Sequence, residues 1–372
     1  RFRGGSPQFL FRPGGAPLIT ELIQRARAAA RPRRLLMFAE NEPQRSELLL
    51  PASQGGFDLD GMWNDDFHHA ARVALTGVRD GYYRDYGGSA QELVSCARHG
   101  FLYQGQYYHW QRKPRGSPMG ALPAQSCVIF LQNHDQVGNT FTGRRLHRLT
   151  SPGRLRALTA LLLLAPQTPL LFMGQEFAAS ANFTFFADHD GTLGASVYAG
   201  RRAFLGQFRC YATPAAQTAI PDPSAEHSFT ASKLDWSELG RHRCAYRLHA
   251  DLLRLRREDP VIARQARDAL DGAVLATQCL LLRWFDREHG DRLLLVNLGV
   301  ESRPDRLAEP LLAPPADRAW ELAWSSEHPL YDGRGALSPL AEDGRWRFEA
   351  ECAVLLRATT IGPELDHHAA RS

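Results

Sequence analysis

Apolar runs that stop at polar clusters recur through the first half of the chain. Arg34–Ala39 runs into Glu40-Asn41-Glu42, and Phe57–Trp63 into Asn64-Asp65-Asp66-Phe67-His68-His69. Cys127–Gln132 runs into Asn133-His134-Asp135, and Pro169–Met173 into Gly174-Gln175-Glu176. A short unbroken apolar run with a polar end predicts a buried parallel strand that delivers side chains to a site at its C-terminal end. Helical spacing fills the gaps. Leu18, Leu22, Ala26 and Ala29 share one face of a helix predicted over 17–30. Ser151-Pro152 supplies a capping hydroxyl and a first-turn proline to a helix carrying Leu155, Leu158, Leu161 and Leu162. Alternating strand and helix predicts a parallel β/α domain over 1–265. A doubly wound sheet is the rival, but no Gly-rich phosphate loop follows any of these strands.

The pattern changes near residue 265. A last amphipathic helix is predicted over 243–258, with Leu248, Leu252, Leu253 and Leu255. Short β-type runs follow at 273–277, 280–285, 292–298 and 353–357, separated by Gly, Pro and Asp. They predict a small antiparallel β-sandwich over 266–361, with a disordered tail at 362–372. No internal repeat is visible.

Composition narrows the classes. The 372 residues are 44% hydrophobic and 23% charged, with a formal net charge of +4, as in an ordinary globular protein with a large core. The basic residues are nearly all Arg, with Lys only at 113 and 233, and no basic run is interleaved with aromatics as nucleic-acid binding requires. The longest apolar stretch, near 157–166, is too short to span a bilayer. The cysteines at 96, 127, 210, 244, 279 and 352 form no Cys-x-x-Cys pair and no zinc-ligand spacing. Free thiols in a reducing, cytoplasmic compartment are therefore expected. Neither metal, cofactor, nucleic acid nor membrane is an expected partner.

The polar strand ends are where chemistry can reside. Hydrolysis of a glycosidic bond needs an acid to protonate the leaving oxygen and negative charge beside an oxocarbenium-like transition state. Glu40 and Asp135 stand at two strand ends that a barrel would bring to one pocket. Asp135 is the stronger candidate, because Asn133-His134-Asp135-Gln136 places four hydrogen-bonding side chains at the end of an apolar strand; the bland alternative is a polar turn. Asp65, Asp66, Phe67, His68 and His69 suit a wall for sugar hydroxyls better than a metal site, since adjacent residues ligate one metal poorly. The competing explanation is a helix N-terminus carrying acids.

The segments Ala39–Gln44, Trp63–His69, Gln132–Asn139 and Leu171–Phe177 together resemble the α-amylase superfamily, glycoside hydrolase family 13. Asp65–His69 and Phe185–His189 point to its trehalohydrolase branch. The resemblance runs from about Arg34 to the end. It implies the C-terminal half of a (β/α)8 TIM barrel, roughly strands four or five to eight, followed by the β-sandwich. It implies cofactor-free, retaining hydrolysis of the α-1,4 bond next to the terminal trehalose of maltooligosyl trehalose. By the match Glu40 is the general acid and Asp135 the transition-state carboxylate. Asp65, Asp66, Phe67, His68, His69, His134, Gln136, Val137, Gly138 and Asn139 fall on substrate-binding stretches. The family's nucleophile is an Asp in a Phe-Arg-Leu-Asp context after the fourth strand. The best match, Phe2-Arg3-Gly4-Gly5, puts Gly5 there, and no Asp precedes Asp58. The chain begins with Arg, and its first sixteen residues are expected to be a misread form of the strand-four region of a longer protein. A branching or transfer enzyme on α-glucans, and a non-catalytic glycan-binding remnant, are the alternatives. A monomer or homodimer is expected.

Overall fold

The computed structural model describes the backbone of residues 2–5, and residues 18–361 apart from Asp305 and Glu342. The expected tail over 362–372 and most of the first sixteen residues lie outside the described residues. The chain divides into two compact units, Arg1–Ser151 with Pro166–Tyr246, and Pro152–Ala165 with Arg247–Ser372.

The first unit is built on parallel strands β1 (Phe2–Gly5), β2 (Met37–Glu40) and β3 (Gly61–Trp63). A small ribbon follows, β4 (Tyr107–Tyr108) with β5 (Lys113–Pro114), and then β6 (Cys127–Ile129) and β7 (Thr168–Pro169). The five longitudinal strands pair in the order β1-β2-β3-β6-β7, every neighbour parallel. Chain order equals sheet order, as in an arc of a (β/α)8 barrel. Helix α1 (Leu18–Ala30) lies between β1 and β2, α2 (Asp65–Thr76) and α3 (Ala90–His99) lie between β3 and β6, and α4 (His134–Gly138) follows β6, while only two 3-10 turns join β2 to β3.

Side-chain alternation sorts the strand residues onto two faces. Met37, Ala39, Met62 and Cys127 pack with Ile19 and Ile23 of α1 and with Leu48, Leu49 and Phe101. Phe38, Trp63, Val128, Phe130 and Leu170 form a separate cluster on the opposite face. Glu40, two residues beyond Phe38, therefore emerges on the Phe38 face at the strand end.

The ladders are shorter than the apolar runs. Asp58 has a left-handed backbone (φ 57°), and Phe57 and Asp58 donate to the carbonyls of Leu48 and Leu50 instead of a strand, so β3 begins only at Gly61. Two starts and one end are as the sequence implies. Asn64 caps α2 by accepting from the Phe67 amide at 3.2 Å, and Asn133 caps α4 by accepting from the Gln136 amide at 3.0 Å. Gly77 ends α2 in the left-handed conformation (φ 69°).

The second unit contains β8 (Leu270–Ala276), β9 (Cys279–Trp284), β10 (Arg292–Asn297), β11 (Arg318–Ser325) and β12 (Cys352–Thr360). They form one antiparallel sheet in the order β11-β12-β10-β9-β8. Four of these strands overlap the predicted runs; β11 does not. Along β11 half-buried Trp320 and Leu322 alternate with exposed Ala319, Glu321 and Ala323, so this edge strand carries little apolar signal. The other layer of the expected sandwich is irregular chain. Leu307, Leu312 and Phe348 cover Leu281, Leu293, Leu295, Val354 and Leu356, and only the isolated bridges Ser302↔Phe348 and Leu340↔Trp346 are strand-like there among the described residues. Helix α5 (Pro152–Leu164) belongs to this unit, and every residue from Ala157 to Leu164 is buried. It packs on β10 and β12, and Arg256 donates to the Leu163 carbonyl at its C-terminal end at 2.9 Å.

Candidate active site

A cleft of about 610 Å³ opens at the C-terminal ends of the parallel strands. Glu40 enters from the end of β2, Asp65 and His69 from the first turns of α2 after β3, and Asp135, Gln136 and Asn139 from α4 and its end after β6. Tyr82, Tyr108, Trp110 and Gln111 line the remaining side with Glu42 and Arg115. Carboxylates, amides and aromatic faces converge on one concave space, the mixture that recognises sugar hydroxyls and sugar C–H faces.

Of the residues predicted for the site, the cleft gathers Glu40, Asp65, His69, Asp135, Gln136 and Asn139. His134 stands beside them, its Nε2 3.2 Å from Asp135 Oδ1 and its ring edge-on to Trp63. The other five lie beneath. Phe67 is a core residue, and Val137 and Gly138 are buried inside α4. His68 is buried and stacks on Phe130 at 5.2 Å, with its Nδ1 3.0 Å from His69 Nδ1, so one ring donates to the other. Burial holds both imidazoles well below their ordinary pKa, which makes them a neutral pair.

The fifth, Asp66, has no exposed surface at all. Its carboxylate accepts from Tyr86 Oη at 2.7 Å and from the backbone amides of Leu102 and Tyr103, each at 2.8 Å. It therefore fixes the 102–103 turn from below. Arg115, also buried, reaches Asp66 through Nε at 3.4 Å and Asp65 through Nη2 at 3.7 Å. It also pairs with Glu42 through Nη1 and lies over the Tyr108 ring at 4.9 Å. Gln44 completes this floor. With its amide turned to satisfy both ends, the nitrogen donates to Asp66 Oδ2 at 2.9 Å, and the oxygen accepts from Arg115 Nη2 at 3.0 Å and from the amides of Asp65 and Asp66.

Neither Arg115 nor Gln44 is announced by periodicity, because both lie on irregular loops. A glycine delivers Arg115: Gly116 has φ 74°, and a Cβ there would sit 1.7 Å from the Tyr103 carbonyl oxygen. Its amide donates to the Pro43 carbonyl at 2.9 Å, which joins the arginine's loop to the loop after Glu40. The density of Tyr103, Tyr107, Tyr108 and Trp110 before it is the available sequence signal for this wall.

Burial raises the Asp65 carboxyl to about 7 against the opposing pull of Arg115, with Glu40, Asp66 and Glu42 adding repulsion. The native state thus keeps a proton that the unfolded chain has already released. Its contribution to stability is full below pH 3.8 and is lost as pH rises to about 7. Asp65→Asn is expected to flatten that part of the stability profile. Urea midpoints of both proteins at the two ends of the window check this, and parallel profiles would rule out the assignment.

Among the described residues no group of three His, Cys, Asp or Glu could hold a metal ion, and no helix is long and apolar enough to cross a membrane. The six cysteines are free thiols.

The malto-oligosyltrehalose trehalohydrolase of Deinococcus radiodurans is 44% identical over 253 residues, covering 66% of this chain and 40% of that protein. The malto-oligosyltrehalose trehalohydrolase of a Rhizobium species is 38% identical over 238 residues, covering 62% of this chain and 39% of that one. A solved Salmonella typhimurium protein described as an alpha amylase superposes with a TM-score of 0.76 at 26% identity, over 95% of this chain and 56% of that chain. The chain belongs to the α-amylase superfamily. The parallel arc is accordingly part of an α-amylase-type TIM barrel, and the antiparallel sheet is the C-terminal β domain that follows it. Residues 267–345 of that sheet region match a family described as "Domain of unknown function (DUF3459)". The chain spans about 40% of the length of the curated relatives it matches.

Proposed function

We propose that the strand-end cleft is the α-glucan site of a glycoside hydrolase of the kind that releases trehalose from maltooligosyl trehalose. The observation that carries this reading is the convergence of Glu40, Asp65 and Asp135 on one cleft with aromatic walls. The names of the Deinococcus and Rhizobium relatives support the choice of substrate. In this reading residues 1–265 form the catalytic domain and 266–361 the β-sandwich domain. Glu40 protonates the glycosidic oxygen as the bond breaks, and Asp135 supplies the negative charge that the oxocarbenium-like state requires. Asp65, neutral below pH 7, can donate as well as accept a hydrogen bond to a hydroxyl, and neutral His69 adds a second partner.

A retaining mechanism also needs a nucleophile, and the position for one is Gly5. Gly5 and Glu40 are direct backbone partners in the parallel pair β1–β2. Neighbouring strands lie about 4.8 Å apart. The register thus puts the nucleophile position on the strand next to the proposed acid. Glycine at this position is the specific observation favouring the glycan-binding alternative, in which the chain is expected to bind without turning over.

Both readings require the cleft to take oligosaccharide. Trp110→Ala is expected to weaken maltooligosyl trehalose binding about tenfold, the effect of removing an aromatic platform from a binding site. Titration calorimetry on the two proteins decides it. Equal affinities would remove the aromatic wall from the site and with it the sugar reading of the cleft.

A further inference from the structure

The C-terminal β domain carries a second built cleft, about 680 Å³ in volume and lined by Arg303, Pro304, Asp343, Arg345, Trp346 and Arg347. Its two walls are tied together. Ser302 and Phe348 exchange backbone hydrogen bonds of 2.9 Å in both directions, so the Arg303-Pro304 segment is fixed against the 345–348 segment. The opposite wall is a tight hairpin in which Ala341 and Arg345 pair at 2.9 Å, Arg347 donates to Pro339 at 2.7 Å, and Gly344 turns the chain with φ 76°. Trp346 is half-buried, and its ring lies nearly parallel to Phe348, 15° between planes, which fixes its orientation from the core side.

The charges are arranged as pairs. Arg303 and Arg347 share the Glu301 carboxylate at 2.6 and 3.2 Å, Arg347 also lies 3.5 Å from Glu349, and Arg345 pairs with Asp343 at 2.6 Å. Each arginine of this cleft already has a carboxylate beside it, so the site offers planar, oriented donors and acceptors rather than a net field. Anions and nucleic acids select unbalanced positive charge. A neutral polyhydroxylated ligand instead uses bidentate guanidinium and carboxylate contacts for its hydroxyls and an aromatic face for its C–H surface.

We propose that this cleft is a second oligosaccharide-binding site, separate from the strand-end cleft, with Trp346 as its stacking platform and Arg303 and Arg345 as its hydroxyl contacts. That the ligand is an oligosaccharide follows from the cleft itself; that it is an α-glucan rests on the function proposed above.

The test is a titration of the full chain with maltopentaose, followed by NMR on the indole N–H of Trp346. That signal, one of seven indoles, is assigned by its loss in Trp346→Phe. The signal is expected to shift with saturation in the wild type, and to do so equally in Asp135→Ala, which alters only the first cleft. In Arg303→Ala/Arg345→Ala, affinity read at the same signal is expected to fall about tenfold, as for losing a hydrogen bond to a charged group. A Trp346 signal that stays fixed at saturating sugar, or that shifts with unchanged affinity in the double variant, overturns the proposal. The indole of Trp110 reports the first cleft independently, so failure of one site is distinguishable from failure of the other.

Discussion

Asp66→Ala is expected to destabilise the barrel unit by about 3–5 kcal/mol, the cost of breaking a buried ion pair from one side. Three donors, Tyr86 Oη and the amides of Leu102 and Tyr103, would lose their acceptor, and Gln44 would lose a fourth contact. Arg115 would remain buried with its one fully buried carboxylate partner gone, though Asp65 and Glu42 would still partly offset its charge. Asp66→Asn keeps one acceptor oxygen and the side-chain volume, so a smaller loss is expected. Denaturant midpoints of the three proteins check the order. An Asp66→Ala protein as stable as the wild type would show that the Arg115 network does not hold the floor of the cleft. The prediction also separates Asp66 from Asp65: the first has no surface with which to touch a sugar, while the second lines the cleft.

That distinction explains how far the sequence could be read. Asp65 and Asp66 are adjacent acids at a helix start, and composition treats them alike. They differ only in which way α2 turns them, since one helical step of about 100° sends Asp65 to the cleft and Asp66 to the interior. The same step separates His69 from His68. The strand ends were legible because a buried parallel strand must be apolar along its length and can turn polar only where it meets a site or solvent, as Phe38-Ala39-Glu40 and Phe130–Asp135 do. The loop residues were not legible in this way. Arg115 and Gln44 acquire their meaning from partners far away in the sequence, and no local period marks them. In the β domain, β9 and β10 announce themselves as unbroken apolar runs, whereas β11 is half-exposed and reads as loop.

The second large effect falls on Glu40. Glu40→Gln keeps the shape of the side chain and its hydrogen-bonding reach but removes the acidic proton, so it should spare binding and lower turnover roughly 10²–10⁴-fold. In the proposed retaining mechanism turnover needs a carboxylate at position 5, the backbone partner of Glu40 in the β1–β2 pair, so the comparison belongs in a Gly5→Asp chain. Affinity for maltooligosyl trehalose is expected to be the same with and without the Glu40→Gln change in that background, because the proton matters only as the bond breaks. A loss confined to affinity would make Glu40 a binding group instead.

Trehalose release from maltooligosyl trehalose, measured in parallel for Gly5→Asp and for Gly5→Asp/Glu40→Gln, tests the central claim that the cleft at the strand ends is a glycosidase site with Glu40 as its acid. Release by the first protein and a fall of roughly 10²–10⁴-fold in the second is the predicted result. Binding of the substrate without release by Gly5→Asp, or equal release by both proteins, would contradict it.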